Sequence, residues 1–131
     1  MAGCGGDPEP TALALQDEAG VLTVITGTFS RTCEEARSII FECGRWELAV
    51  HVKPAAQSGG AKPLASDDTS AESLVSDGGP HAQKCSVVGG TYEQGTIEIL
   101  EAGADSVTFT IAGTAQGAFD ADGTYTASRC K

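Results

Sequence analysis

Apolar and polar residues alternate along much of this chain with a period of two, the spacing that sends successive side chains to opposite faces of a sheet. The cleanest case is "RWELAVHV", which places Trp46, Leu48, Val50 and Val52 on one face and Glu47, Ala49 and His51 on the other. That pattern predicts a strand with one buried and one wet face. Upstream, residues 22–30, "LTVITGTFS", are dense in β-branched residues and short for a helix, so they read as a strand. Thr32 can cap one helical turn over Cys33–Arg37, and "SIIFEC" runs into a second strand. Beyond Cys85 the alternation returns: Ile97 and Ile99 share a face, as do Val107, Phe109 and Ile111, with Ala102 to Ser106 as the hairpin loop. A further loop containing Asp122-Gly123 leads to "TYTASRC", with Tyr125 and Ala127 facing one way and Thr124, Thr126 and Ser128 the other.

Residues 54–84 break this pattern. The segment is rich in Ala, Ser, Gly and Asp, lacks aromatics, and offers only Leu64, Leu74 and Val75 as larger apolar residues. Such a stretch buries too little surface to offset its ordering entropy, and it reads as a long mobile loop with at most a short helix around "SAESLV". Gly-Thr recurs at Gly27, Gly90, Gly95, Gly113 and Gly123 with irregular spacing, as punctuation between strands rather than a solenoid period. The fold class expected is all-β: a small antiparallel sandwich or barrel of six to eight strands, disulfide-stapled, with the domain spanning 13–131 and its mobile loop at 54–84.

Composition sharpens the picture. A chain of 131 residues is a prior for one domain, and a domain this size has thin stability without added constraint. Eighteen acidic against eight basic residues give a net charge of −10, which repels phosphate backbones and argues against nucleic acid as a partner. No apolar run reaches the roughly 18–20 residues of a membrane-spanning helix.

Five cysteines supply the constraint, and their odd number points at Cys4. Cys33, Cys43, Cys85 and Cys130 allow three pairings; Cys33–Cys43 as a local loop with Cys85–Cys130 is the favoured one. No two lie at the C-x₂-C spacing of a zinc site, so oxidised pairs in an extracytoplasmic setting are expected, with no metal or cofactor.

The opening "MAGCGGDPEPT" carries a resemblance of its own. Ala2-Gly3-Cys4 resembles the end of a bacterial lipobox, in which small residues precede a cysteine that receives a lipid, although Met1 stands where a Leu is usual and no charged region or apolar core precedes it. It implies an export signal whose beginning lies upstream of Met1, lipid attachment at Cys4, and a flexible tether over 1–12. The body also resembles uncharacterised envelope lipoproteins of the myxobacterial type. The likeness lies in Cys43-Gly44-x-Trp46, Gly95-Thr96-Ile97-Glu98, and Gly123-Thr124-Tyr125-Thr126-Ala127 with Arg129-Cys130. It implies location and anchoring, and no activity.

Candidate chemistry is sparse. His51 lies on the wet face of its strand and His81 in the loop, so both read as solvated residues. There is neither a G-x-S-x-G elbow nor a phosphate-cradling glycine loop. Asp120-Ala121-Asp122-Gly123 matches a fragment of a calcium loop, but an Asp-Gly before a strand is more often a turn. The sequence therefore predicts a non-catalytic lipid-anchored binding or structural module of the cell envelope, its partner an envelope protein or a glycan. The alternatives are a secreted hydrolase, for which a cleft joining His51 to an acid and a hydroxyl would be the mark, and a calcium-dependent adhesion module.

Overall fold

The structure, a computed structural model, describes residues 10–28, 33, 43–76, 85–115 and 119–130. Cys4, the tether before Pro10, the helical turn after Cys33, residues 38–42 of the "SIIFEC" strand and His81 lie outside them.

Among the described residues nine strands form one curled sheet: β1 (Thr11–Gln16), β2 (Leu22–Gly27), β3 (Trp46–Val52), β4 (Lys62–Pro63), β5 (Thr69–Ser76), β6 (Val87–Thr91), β7 (Thr96–Ala102), β8 (Ser106–Ala112) and β9 (Gly123–Arg129). Their spatial order is β4-β7-β8-β9-β1-β2-β3-β5-β6. Every pairing is antiparallel except β1 with β9. The all-β class holds, but the architecture is a single half-barrel with nine strands rather than a closed barrel or a two-sheet sandwich with six to eight.

Curling lets one sheet make its own core. Leu22, Val24, Leu48, Val50, Val52 and Ala71 from one half meet Ile97, Val107, Phe109, Ile111 and Ala127 from the other in a single buried cluster. The alternation predicted along β3, β7 and β8 is what builds it: Leu48, Val50, Val52, Ile97, Val107, Phe109 and Ile111 are each at most 1% exposed. At the β7–β8 turn the loop tightens to Gly103–Asp105, closed by the Gly103 amide donating to the Ser106 carbonyl at 2.9 Å. Leu100, the extra residue of a bulge between Ile99 and Glu101, is turned outward.

The boundaries at both ends of the first half need correction. Thr11 and Ala12, expected in the tether, belong to β1, where they pair with Gly27 and Thr26. The long mobile loop over 54–84 is also overturned as far as Ser76. A 3-10 turn (Pro54–Ala56) and β4 carry the chain across to β7, where Leu64 is fully buried and its amide donates to the Gly95 carbonyl. The chain then returns as β5, which pairs along its whole length with β3. "SAESLV" is therefore strand, not helix. Its inward residues Thr69, Ala71 and Ser73 are small or polar, with Val75 the one larger apolar side chain packed against the core, and its buried hydroxyls are satisfied: Thr69 Oγ1 donates to the Pro63 carbonyl at 2.7 Å, and Ser76 Oγ accepts the Arg45 amide at 2.9 Å.

The disulfides connect Cys33 to Cys130 and Cys43 to Cys85, not Cys33 to Cys43 and Cys85 to Cys130. β5 is the reason. Trp46 pairs with Val75, and Val75 with Val88, so β3 and β6 begin at the same end of the sheet with one strand between them. Cys43 and Cys85, just before those strands, come to a Cα separation of 5.6 Å. Cys130 follows β9 beside β1, its amide donating to the Ala14 carbonyl, and meets Cys33 with Cα atoms 5.1 Å apart. With separations of 97 and 42 residues, loop-closure entropy assigns the bonds about 4–5 kcal/mol each, taken singly. Two such bonds mark an oxidising, extracytoplasmic environment. Among the described residues no helix is long and apolar enough to cross a membrane.

Candidate functional site

The face of the sheet turned away from the core is not uniform. Over β8 and β9 it is a field of hydroxyls, in which Thr108 and Thr126 are hydrogen-bonded at 3.2 Å and Thr110 and Thr124 at 2.9 Å. Over β1, β2, β3, β5 and β6 it becomes a groove of about 620 Å³. Leu15, Ile25, Ala49 and Leu74 supply its apolar surface, and Thr23, Glu47, His51 and Glu72 its polar groups. Glycines 89 and 90 and Thr91 form the wall at the sheet edge.

Strand register sets this composition. Thr23 pairs directly with His51, Ile25 with Ala49, Glu47 with Leu74 and Ala49 with Glu72. Side chains with the same direction on neighbouring strands thus share the groove. Glu47, expected on a wet face, does face away from the core, yet it is only 5% exposed. Gly27 ends β2 beside it because a Cβ there would overlap the Trp46 carbonyl.

His51 bridges two partners. Its Nε2 lies 2.7 Å from Glu72 Oε1, and its Nδ1 lies 2.8 Å from Thr23 Oγ1. With Nε2–H donated to the carboxylate, a neutral ring accepts the threonine proton at Nδ1; a protonated ring donates at both nitrogens and Thr23 becomes the acceptor. The sequence marked His51 as a solvated side chain; in the fold it is held at both ends and its side chain is 37% exposed. Nothing in the sequence near His51 named its partners, which come from β2 and from the unrecognised β5.

β2 is paired with β1 and β3, and β3 with β2 and β5, so the amides beside Thr23 and His51 are engaged in ladders on both sides. A hydrolytic site needs free donors aimed at a developing oxyanion.

The calcium-loop fragment is a clasp. Asp122 Oδ1 accepts the Thr114 amide at 2.7 Å and the Thr114 hydroxyl at 2.6 Å, while Thr114 Oγ1 accepts the Ala121 amide at 2.8 Å. These bonds, the side-chain one foremost, hold the Asp122 carboxyl below its ordinary pKa. Asp120 accepts the Asp122 amide at 3.0 Å, closing the turn. Among the described residues no group of three or more His, Cys, Asp or Glu side chains is placed to hold a metal ion.

No protein-family model, no curated protein and no solved structure matches the chain.

Proposed function

We propose that the chain is a non-catalytic binding module of the bacterial cell envelope, tethered through a lipid on Cys4, which takes an extended segment of an envelope protein into the groove across β1, β2, β3, β5 and β6. The observation that carries this reading is the placement of Leu15, Ile25, Ala49 and Leu74 on the sheet face opposite the core, with Glu72 and His51 at their side. A sheet face that met only water would carry polar residues at such positions, as β8 and β9 do. Clefts that combine an apolar lining with a few convergent polar groups are the usual form of a ligand site. Among the described residues no Phe, Tyr or Trp lines the groove, which favours aliphatic side chains over a stacked sugar ring as the occupant. The Glu72 carboxylate, 63% exposed beside the groove, favours a basic or hydrogen-bond-donating neighbour.

Two experiments test it. Titration of the folded domain with extended peptides alternating Leu or Val with Lys should perturb the amide resonances of Thr23, Ala49, His51 and Leu74, and Ala49→Arg should abolish the response. Perturbations confined to the β8–β9 face, or an unaltered spectrum, would reject the groove. For the anchor, the protein purified from membranes of its native source should carry diacylglycerol on Cys4; a Cys4 without lipid in a membrane-free fraction would reject that part.

A second reading, a secreted hydrolase, draws on the Thr23–His51–Glu72 chain of hydrogen bonds. It requires turnover of an activated ester that His51→Ala removes. The engagement of the amides beside Thr23 and His51 in strand ladders makes it the weaker of the two.

A further inference from the structure

We infer that β6, an edge of the sheet among the described residues, is a self-association surface, on which a second copy of this chain pairs antiparallel about Gly89 with Val88 of each copy seated over Gly90 of the other.

The two edges of the sheet are unlike. β4 is two residues long and consists of Lys62 and Pro63, the short, charged and proline-bearing form that prevents strand addition. β6 is Val87-Val88-Gly89-Gly90-Thr91, without a charge or a proline, and Val88 to Thr91 are exposed. Nothing in its sequence guards it.

The direction of its backbone groups follows from the ladder. The Tyr92 amide donates to the Ala71 carbonyl at 2.8 Å, and Thr91 pairs with Glu72. Hydrogen-bonded and non-hydrogen-bonded pairs alternate, so Val88 and Gly90 bond to β5 while Val87, Gly89 and Thr91 turn their amides and carbonyls outward. An antiparallel second copy centred on Gly89 sets Val87 opposite Thr91 of the other chain, and about six hydrogen bonds close across the seam. A two-fold axis of this kind uses the same patch on both copies.

Shape fits the same register. Val88 is 70% exposed, the most exposed large hydrophobic side chain among the described residues. It would stand opposite Gly90 of the other copy, where a side chain would meet nothing within 4 Å. That space opens onto a recess of about 510 Å³ lined by Val75, Tyr92 and Phe119. The knob and the hole are two residues apart on one strand, the spacing a two-fold pairing about the residue between them makes reciprocal.

Charge fits as well. Each chain carries −10, so two copies repel unless their contact avoids acidic groups. β6 has none. Glu93, just beyond its end, would lie opposite Cys85 of the second copy, which leaves the two Glu93 residues roughly 26 Å apart along the seam. That exceeds the Debye length of about 8 Å at physiological ionic strength. Pairing also joins the two grooves, because Gly89, Gly90 and Thr91 wall both of them.

Sedimentation velocity of the folded, disulfide-intact protein tests the inference. A species of twice the 13.3 kDa chain mass is expected at micromolar concentration. Val88→Lys sets a charge against the recess, and Thr91→Pro removes an outward amide without breaking the ladder to β5. Each should raise the dissociation constant at least tenfold while leaving the circular-dichroism spectrum unchanged. Gly90→Leu should do the same by filling the recess from within. A protein that stays monomeric to about 100 μM, a weak-affinity limit, would overturn the inference. So would a dimer indifferent to all three substitutions, or a monomer whose β6 edge pairs only with added peptide.

Discussion

Phe119 lies flat on Trp46, their ring centroids 4.9 Å apart and their planes 8° from parallel. Phe119 comes from the β8–β9 connection and Trp46 from the start of β3, so the stack joins the two halves of the curled sheet. Tyr92 flanks the same ring at 5.2 Å. Phe119→Ala removes a side chain only 8% exposed and should cost about 2–4 kcal/mol. Trp46 is the only tryptophan, so its emission should shift to longer wavelength in the folded variant.

The chain has two tyrosines, and burial raises the pKa of both. Asp122 adds to the rise at Tyr92. At Tyr125 burial is the leading cause, and its hydroxyl donates to the Ala121 carbonyl at 2.7 Å. A raised folded pKa contributes stability that is complete below the unfolded value of 10.0 and lost as pH climbs through the folded value. Absorbance at 295 nm should therefore rise at higher pH for the folded protein than for the denatured chain. A folded sample in which either tyrosine titrates at its ordinary pKa would disprove the burial of that ring.

Asp122 has the opposite sign. Its depressed carboxyl pKa contributes stability above the ordinary value of 3.8, which is lost as pH falls through the lower folded value. Melting temperature should therefore decline below about pH 4, and Asp122→Asn should flatten part of that decline. Thr114→Val, which leaves the Ala121 amide without its acceptor inside a buried turn, should cost about 1–3 kcal/mol at neutral pH.

What could be read in advance was set by how strongly each strand writes its two faces. β3, β7 and β8 alternate large aliphatic residues with polar ones, and their buried positions were plain from the sequence. β5 was not legible. Its inward positions are Thr69, Ala71, Ser73 and Val75, of which only the last is a large apolar residue, so its periodic burial leaves little periodic hydrophobicity. β1 was obscured in a similar way by its small inward residues Ala12 and Ala14. Missing β5 had consequences at a distance. Without it, Cys43 has no reason to meet Cys85, and proximity along the chain made Cys33 its natural mate. His51 likewise has no acid beside it until Glu72 is placed on a strand. The groove is hidden for the same reason, since it draws on five strands and only their lateral order brings Leu15, Ile25, Ala49 and Leu74 together. The turn at Asp122 was read as a turn, and its hydrogen bonds agree.

The groove, the β6 edge and the disulfide pattern all depend on β5 lying between β3 and β6. Peptide mapping of the unreduced protein by mass spectrometry reports on that order directly. The digest should contain Cys43 linked to Cys85 and Cys33 linked to Cys130. Cys33 joined to Cys43, or four free thiols in carefully handled material, would contradict it.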